Sequence, residues 1–232
     1  MSAEQHVDTH YYEVVRPQSF AERMVITARD RIYKDFIKTC TPNSKSKILD
    51  IGVSDVINDA ANVLERRFMY PHNITAAGLG EGDDFRATFP DVGYVQIEAD
   101  KPLPFADKSF DIVTSNAVLE HVGSIAAQRQ FIAEHVRVAK LVYITVPHRF
   151  FPVEHHTAIP FLHYTDTTFA LACKATGKAK WSQMSNLILM SRSWLSKLCP
   201  PDVKASVSYT GLPLGPFSSN LALCIDQREE IY

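Results

Sequence analysis

Between residues 48 and 146, short apolar runs alternate with segments whose apolar positions recur every three or four residues. Ile48 to Gly52, Ile74 to Leu79, Gly93 to Ala99, Phe110 to Ser115 and Leu141 to Val146 read as strands. Val56 to Phe68 reads as a helix through Val56, Ile57, Ala60, Val63, Leu64 and Phe68, and Ser124 to Lys140 as another through Ile125, Ile132 and Val136. Ahead of them, Ser19 to about Thr39 is helical, with Ser19 a cap and Thr41-Pro42-Asn43-Ser44 the break. Strands alternating with helices imply a parallel sheet with right-handed crossovers.

After Pro147 the regularity falls. Residues 148–163 are rich in Pro, Phe and His. Thr165-Asp166 caps a helix ending near Gly177, and a short helix at Ser193–Leu198 stops at Pro200-Pro201. Lys204–Tyr209 and Asn220–Asp226 read as two last strands, a hairpin closing the sheet edge. The expected fold is α/β, Rossmann-like and doubly wound, with a seven-stranded, mostly parallel sheet whose last strand is antiparallel.

Composition narrows the function without choosing it. The 232 residues are 46% hydrophobic and 22% charged, enough for one globular core. Lys plus Arg number 24 against 26 Asp plus Glu, which disfavours a nucleic-acid partner. No apolar run reaches the roughly 18–20 residues of a membrane span. The four cysteines, Cys40, Cys173, Cys199 and Cys224, lack metal-like spacing, and the N-terminus is polar; a reduced, cytoplasmic protein is expected.

The chemistry-bearing segments lie where strands end. Asp50-Ile51-Gly52-Val53 brings an acid and a flexible turn to the end of the first strand. Gly80-Glu81 follows the second, and a carboxylate there suits both hydroxyls of a ribose. Glu98-Ala99-Asp100 follows the third, before Leu103-Pro104-Phe105 and Ser109-Phe110-Asp111. Asp111 reads as structural, at a strand entrance. Ser115-Asn116 and then Leu119-Glu120-His121 follow the fourth. The fifth runs into Pro147-His148-Arg149-Phe150-Phe151-Pro152-Val153-Glu154-His155-His156-Thr157. His and Glu can ligate metals, but no third ligand is spaced beside His155-His156, so no metal is expected and the segment reads as a pocket wall.

In one frame from Lys47 to Asn220, these motifs resemble the class I S-adenosylmethionine-dependent methyltransferases, type 11-like branch. Ser54 and Val56 stand where that family usually repeats glycine, and His148 where a subgroup has Asn. The resemblance implies a methyltransferase domain over residues 46–232 and a helical lid segment over 1–45. It implies S-adenosylmethionine held by Asp50, Gly52, Val53, Glu81, Ala99, Asp100, Ser115 and Asn116, with Glu98 an alternate to Asp100. Tyr11, Tyr12, Glu154 and His155 would line the acceptor pocket. His121, His148 and His156 are the candidate bases, since histidine titrates near neutral pH. The implied acceptor is a small molecule or glycan, methylated at oxygen. Two other readings compete. One is a methyltransferase-like binding module without catalysis. The other is a nucleotide-binding oxidoreductase, which would need a Gly-x-Gly-x-x-Gly turn where Ser54 and Ile57 stand.

Overall fold

The computed structural model describes residues 20–55 and 61–228. Its seven strands are β1 (Ile48–Ile51), β2 (Ile74–Gly78), β3 (Gly93–Gln96), β4 (Phe110–Asn116), β5 (Ala139–Pro147), β6 (Ala205–Thr210) and β7 (Asn220–Asp226). They lie in the order β3-β2-β1-β4-β5-β7-β6. β1 to β5 pair in parallel, and β7 runs antiparallel to both β5 and β6. The expected mixed sheet is therefore present. In the final hairpin β7 inserts beside β5 and leaves β6 at the edge. Burial explains the choice. β7 is apolar over Leu221–Ile225, whereas β6 is mostly exposed.

The helices are α1 (Phe20–Cys40), α2 (Val63–Arg67), α3 (Asp83–Thr88), α4 (Ile125–Val138), α5 (Asp166–Ala175) and α6 (Arg192–Leu198). Ser124 and Thr165 cap α4 and α5 through bonds from the amides of Ala127 and Thr168. α2 is shorter than the periodicity predicts, and part of that prediction falls on residues outside the described ones. Asn62 sits in the left-handed region at φ 51°. Its side chain binds the backbone of Ser54 twice, at 3.0 and 2.8 Å, so the helix starts only after it. β3 stops at Gln96 rather than Ala99 because its partner β2 ends at Gly78. β5 begins at Ala139 because Ala139 pairs with Phe110. Asp111 is anchored at the entrance to β4 by the Lys47 amide at 3.0 Å and the Lys140 ammonium at 2.8 Å.

Strands that are apolar throughout still split by alternation. Leu49, Ile51, Val113, Val142, Ile144 and Val146 pack with Ile132, Leu195 and Leu198 of α4 and α6. Ile48, Ile112, Leu141 and Tyr143 pack with Phe36 of α1, Leu64 and Phe85. The sheet is thus covered on both faces. By the same parity Asp50, Thr114, Asn116 and Thr145 fall on the α1 face, and there the strand ends open into a cavity.

Candidate active site

The cavity has a volume of about 720 Å³. That is ample for a nucleoside-sized ligand with an acceptor beside it. Asp50, Gly52 and Val53 enter it from β1 and its turn, Thr114 and Asn116 from β4, Tyr143 and Thr145 from β5. Arg29, Ile32, Tyr33 and Phe36 close it from α1. His121, His156 and Asn186 reach it from the loops beyond the sheet.

Gly52 holds φ +91°, and a Cβ there would meet Val118 Cγ2 at 2.3 Å. The turn needs glycine for this conformation and for the packing of Val118. The following loop is fixed by side chains: Asp55 accepts from the Gly82 amide at 3.1 Å, and the Tyr94 hydroxyl donates to the Gly80 carbonyl at 2.7 Å. Asp50 lies beside the buried Glu65. Burial first, then the neighbouring Glu65 charge, holds the Asp50 carboxyl well above the usual carboxylate range. Burial likewise pushes Glu65 up to about 7. A buried carboxyl beside a second one is suited to a cationic ligand group, which would favour its ionised form.

A second polar cluster stands where the loops after β4 and β5 meet. Glu154 is buried and accepts from the His156 amide at 3.0 Å, from His156 Nδ1 at 2.9 Å, and from the amide and hydroxyl of Thr157 at 2.6 Å each. Burial opposes its charge, yet the bonds from His156 and Thr157 prevail and hold it below the usual range. His121 Nδ1 lies 2.8 Å from the Asn186 carbonyl and donates to it. The two Nε2 atoms, of His121 and His156, lie 3.2 Å apart. Trp181 packs against both rings, with centroids at 6.3 and 5.0 Å.

Of the residues predicted for the cofactor, Asp50, Gly52, Val53 and Asn116 line this cavity. Glu81, Ala99 and Asp100 are exposed and do not line it, nor does the alternate Glu98, which pairs with Lys101. β3 ends early and turns away before Ala99, which is why the third-strand segment is displaced. Ser115 is buried but has the opposite parity from Thr114 and Asn116, so it leaves the cavity. The structure brings the candidates His121 and His156 together, and Glu154 supports His156 from behind. His148 does not line the cavity: its Nδ1 is 3.0 Å from the Ser218 carbonyl and its ring packs between Phe150 and Tyr209. His155 also lies outside it, packed on Phe151. Tyr11 and Tyr12 lie outside the described residues. Thr114 and Thr145 were missed, although counting in twos from Asn116 and Tyr143 finds them. Arg29, Tyr33 and Asn186 carry no such signal, because only tertiary contact brings them here.

Residues 60–141 match the family model described as a methyltransferase domain, type 11. Over those residues the chain is similar to the type 11 branch of the class I S-adenosylmethionine-dependent methyltransferases. Solved structures carry the same fold around it. A protein of Pyrococcus horikoshii is 13% identical with a TM-score of 0.59, covering 94% of this chain and 98% of that one. A SAM-dependent methyltransferase from Thermotoga maritima, described as a possible histamine N-methyltransferase, is 16% identical with a TM-score of 0.57, covering 90% and 91%. A third, from Mesorhizobium loti, is 13% identical with a TM-score of 0.53, covering 85% and 99%. No curated protein matches the chain in sequence. The matched domain indicates S-adenosylmethionine as cofactor, and the residues present fit it: the Asp50 carboxyl and a strand-end turn face a cavity of nucleoside size. No helix among the described residues is long and apolar enough to cross a membrane.

Proposed function

We propose that this methyltransferase methylates an oxygen of a small molecule or glycan, with the acceptor seated against His121 and His156. One observation carries the reading: a single cavity takes in both the β1 turn and the paired histidine rings. Asp50, Gly52, Val53 and Asn116 would hold the cofactor, joined by Ser54 and Asp55. When bound, it supplies a methyl group on a sulfonium, already activated as an electrophile. The chain's part is to place the acceptor, keep water out and take up its proton.

An oxygen nucleophile needs that proton removed, and the Nε2 atoms of His121 and His156, on rings that line the cavity, are the groups to take it. Glu154 and the Asn186 carbonyl hold the two rings in place. α1, part of the proposed 1–45 lid segment, supplies Ile32, Tyr33 and Phe36 as the apolar cover that excludes water. The four cysteines carry no disulfide, which suits a reducing compartment, and the cytoplasm is the proposed location.

The test has two stages. Calorimetry with S-adenosylhomocysteine should show binding to the unmodified chain. Transfer of labelled methyl onto matched panels of phenols, sugars, amines and thiols then identifies the acceptor atom. Turnover confined to amines or thiols refutes the oxygen assignment. For a productive acceptor, Glu154→Ala, His156→Ala and His121→Ala should each cut turnover while S-adenosylhomocysteine affinity holds. Normal turnover in all three would remove the acceptor from this cluster.

A further inference from the structure

Glu120 precedes His121, and its carboxylate is 1% exposed with no hydrogen-bond partner on either oxygen. A buried carboxylate without donors costs several kcal/mol unless a cation compensates it. Its nearer oxygen lies 3.9 Å from His121 Nε2. One ligand atom from each of Glu120, His121 and His156 can be chosen so that all lie within 4.8 Å of one another.

The protons on the two rings are constrained. His121 Nδ1 faces a carbonyl and His156 Nδ1 faces a carboxylate, so each neutral ring carries its proton on Nδ1. Both Nε2 atoms then present lone pairs, 3.2 Å apart. Two lone pairs at that distance repel unless something positive lies between them. A metal bonded to two imidazole nitrogens at about 2.1 Å sets them roughly 3.0–3.4 Å apart, for angles between octahedral and tetrahedral. A proton shared between the rings would satisfy the nitrogens but put no donor on the Glu120 oxygens, which His156 and Arg29 reach only through space. A cation answers all three groups at once.

We propose that Glu120, His121 and His156 form a binding site for a first-row divalent cation such as Mn²⁺, Fe²⁺, Co²⁺ or Zn²⁺. Two imidazoles and one carboxylate suit these ions better than Mg²⁺ or Ca²⁺. Glu154 is not a ligand, since the His156 and Thr157 donors engage both of its oxygens. It orients His156 from behind, as Asn186 orients His121. Three protein ligands leave coordination positions open towards the cavity that His121 and His156 line. Resting on the oxygen-acceptor reading, an ion there would take the acceptor oxygen as a further ligand and lower its pKa, so that with the ion bound the two rings serve as ligands and not as the base. Reading along the chain finds no third ligand beside His155-His156 because the partners lie 35 residues earlier, across two loops.

The experiment uses the untagged chain, stripped with chelator, with cofactor and acceptor both absent, so its outcome is separate from that of the methyl-transfer assays. Titration with Co²⁺ should give a visible d–d band saturating at one ion per chain. Glu120→Gln and His156→Gln should each weaken that binding at least about tenfold. Absence of the band, or wild-type affinity in both variants, overturns the site. Echo-modulation spectroscopy of Mn²⁺ bound to the unmodified chain decides the matter should a variant fail to fold. Imidazole nitrogen coupled to the ion supports the assignment, and its absence overturns it.

Discussion

Glu65→Gln tests the electrostatics behind the cavity. Glu65 is 4% exposed, and the Asp50 carboxyl lies against it. Burial raises its carboxyl from 4.5 to about 7. The fold therefore binds this proton more tightly than the unfolded chain does. Its contribution to stability is intact below about 4.5 and is lost as pH rises through about 7. A shift of this size corresponds to roughly 3 kcal/mol at pH 8 and less than about 1 kcal/mol at pH 5. Glutamine keeps the shape and removes the ionisation. Urea denaturation of the variant and the wild type without cofactor should show the variant ahead by about 2–3 kcal/mol more at pH 8 than at pH 5. A stability difference independent of pH would refute the reasoning, because a change in packing alone does not titrate.

If the cofactor's ammonium pairs with Asp50, binding should expel a proton from the Asp50–Glu65 pair; calorimetry near pH 6 in buffers of different ionisation enthalpy should give different heats, and equal heats would count against that pairing. Gly52→Ala should cost at least about 1–3 kcal/mol, since alanine must hold φ +91° against Val118, and Val118→Ala should recover part of the loss in urea titrations. Asn62→Ala should cost about 1–2 kcal/mol and weaken S-adenosylhomocysteine binding by calorimetry, because its two bonds fix Ser54 at the cavity wall. A Lys140→Ala variant should lose less than about 1 kcal/mol in the same titrations, since its pair with Asp111 is half exposed.

Periodicity alone determined the strands and their parallel run from β1 to β5, because burial on both faces writes itself into continuous apolar runs, and it found α1 and α4 but not the short α3. Asp50 and Gly52 were legible for the same reason: a strand end is a local feature. Where β3 stops, and hence where Ala99 and Asp100 lie, was decided by the end of its neighbour β2. The inward place of β7 depended on which strand of the hairpin had apolar residues for both faces. Choosing Thr114 over Ser115 needed the strand's parity relative to α1, which a wholly apolar run conceals. The cluster of Glu120, His121, Glu154 and His156 came together only in the folded chain. Two loops far apart in sequence are set side by side by the pairing of β4 with β5, and neither loop by itself shows which of its polar groups will be buried facing the other.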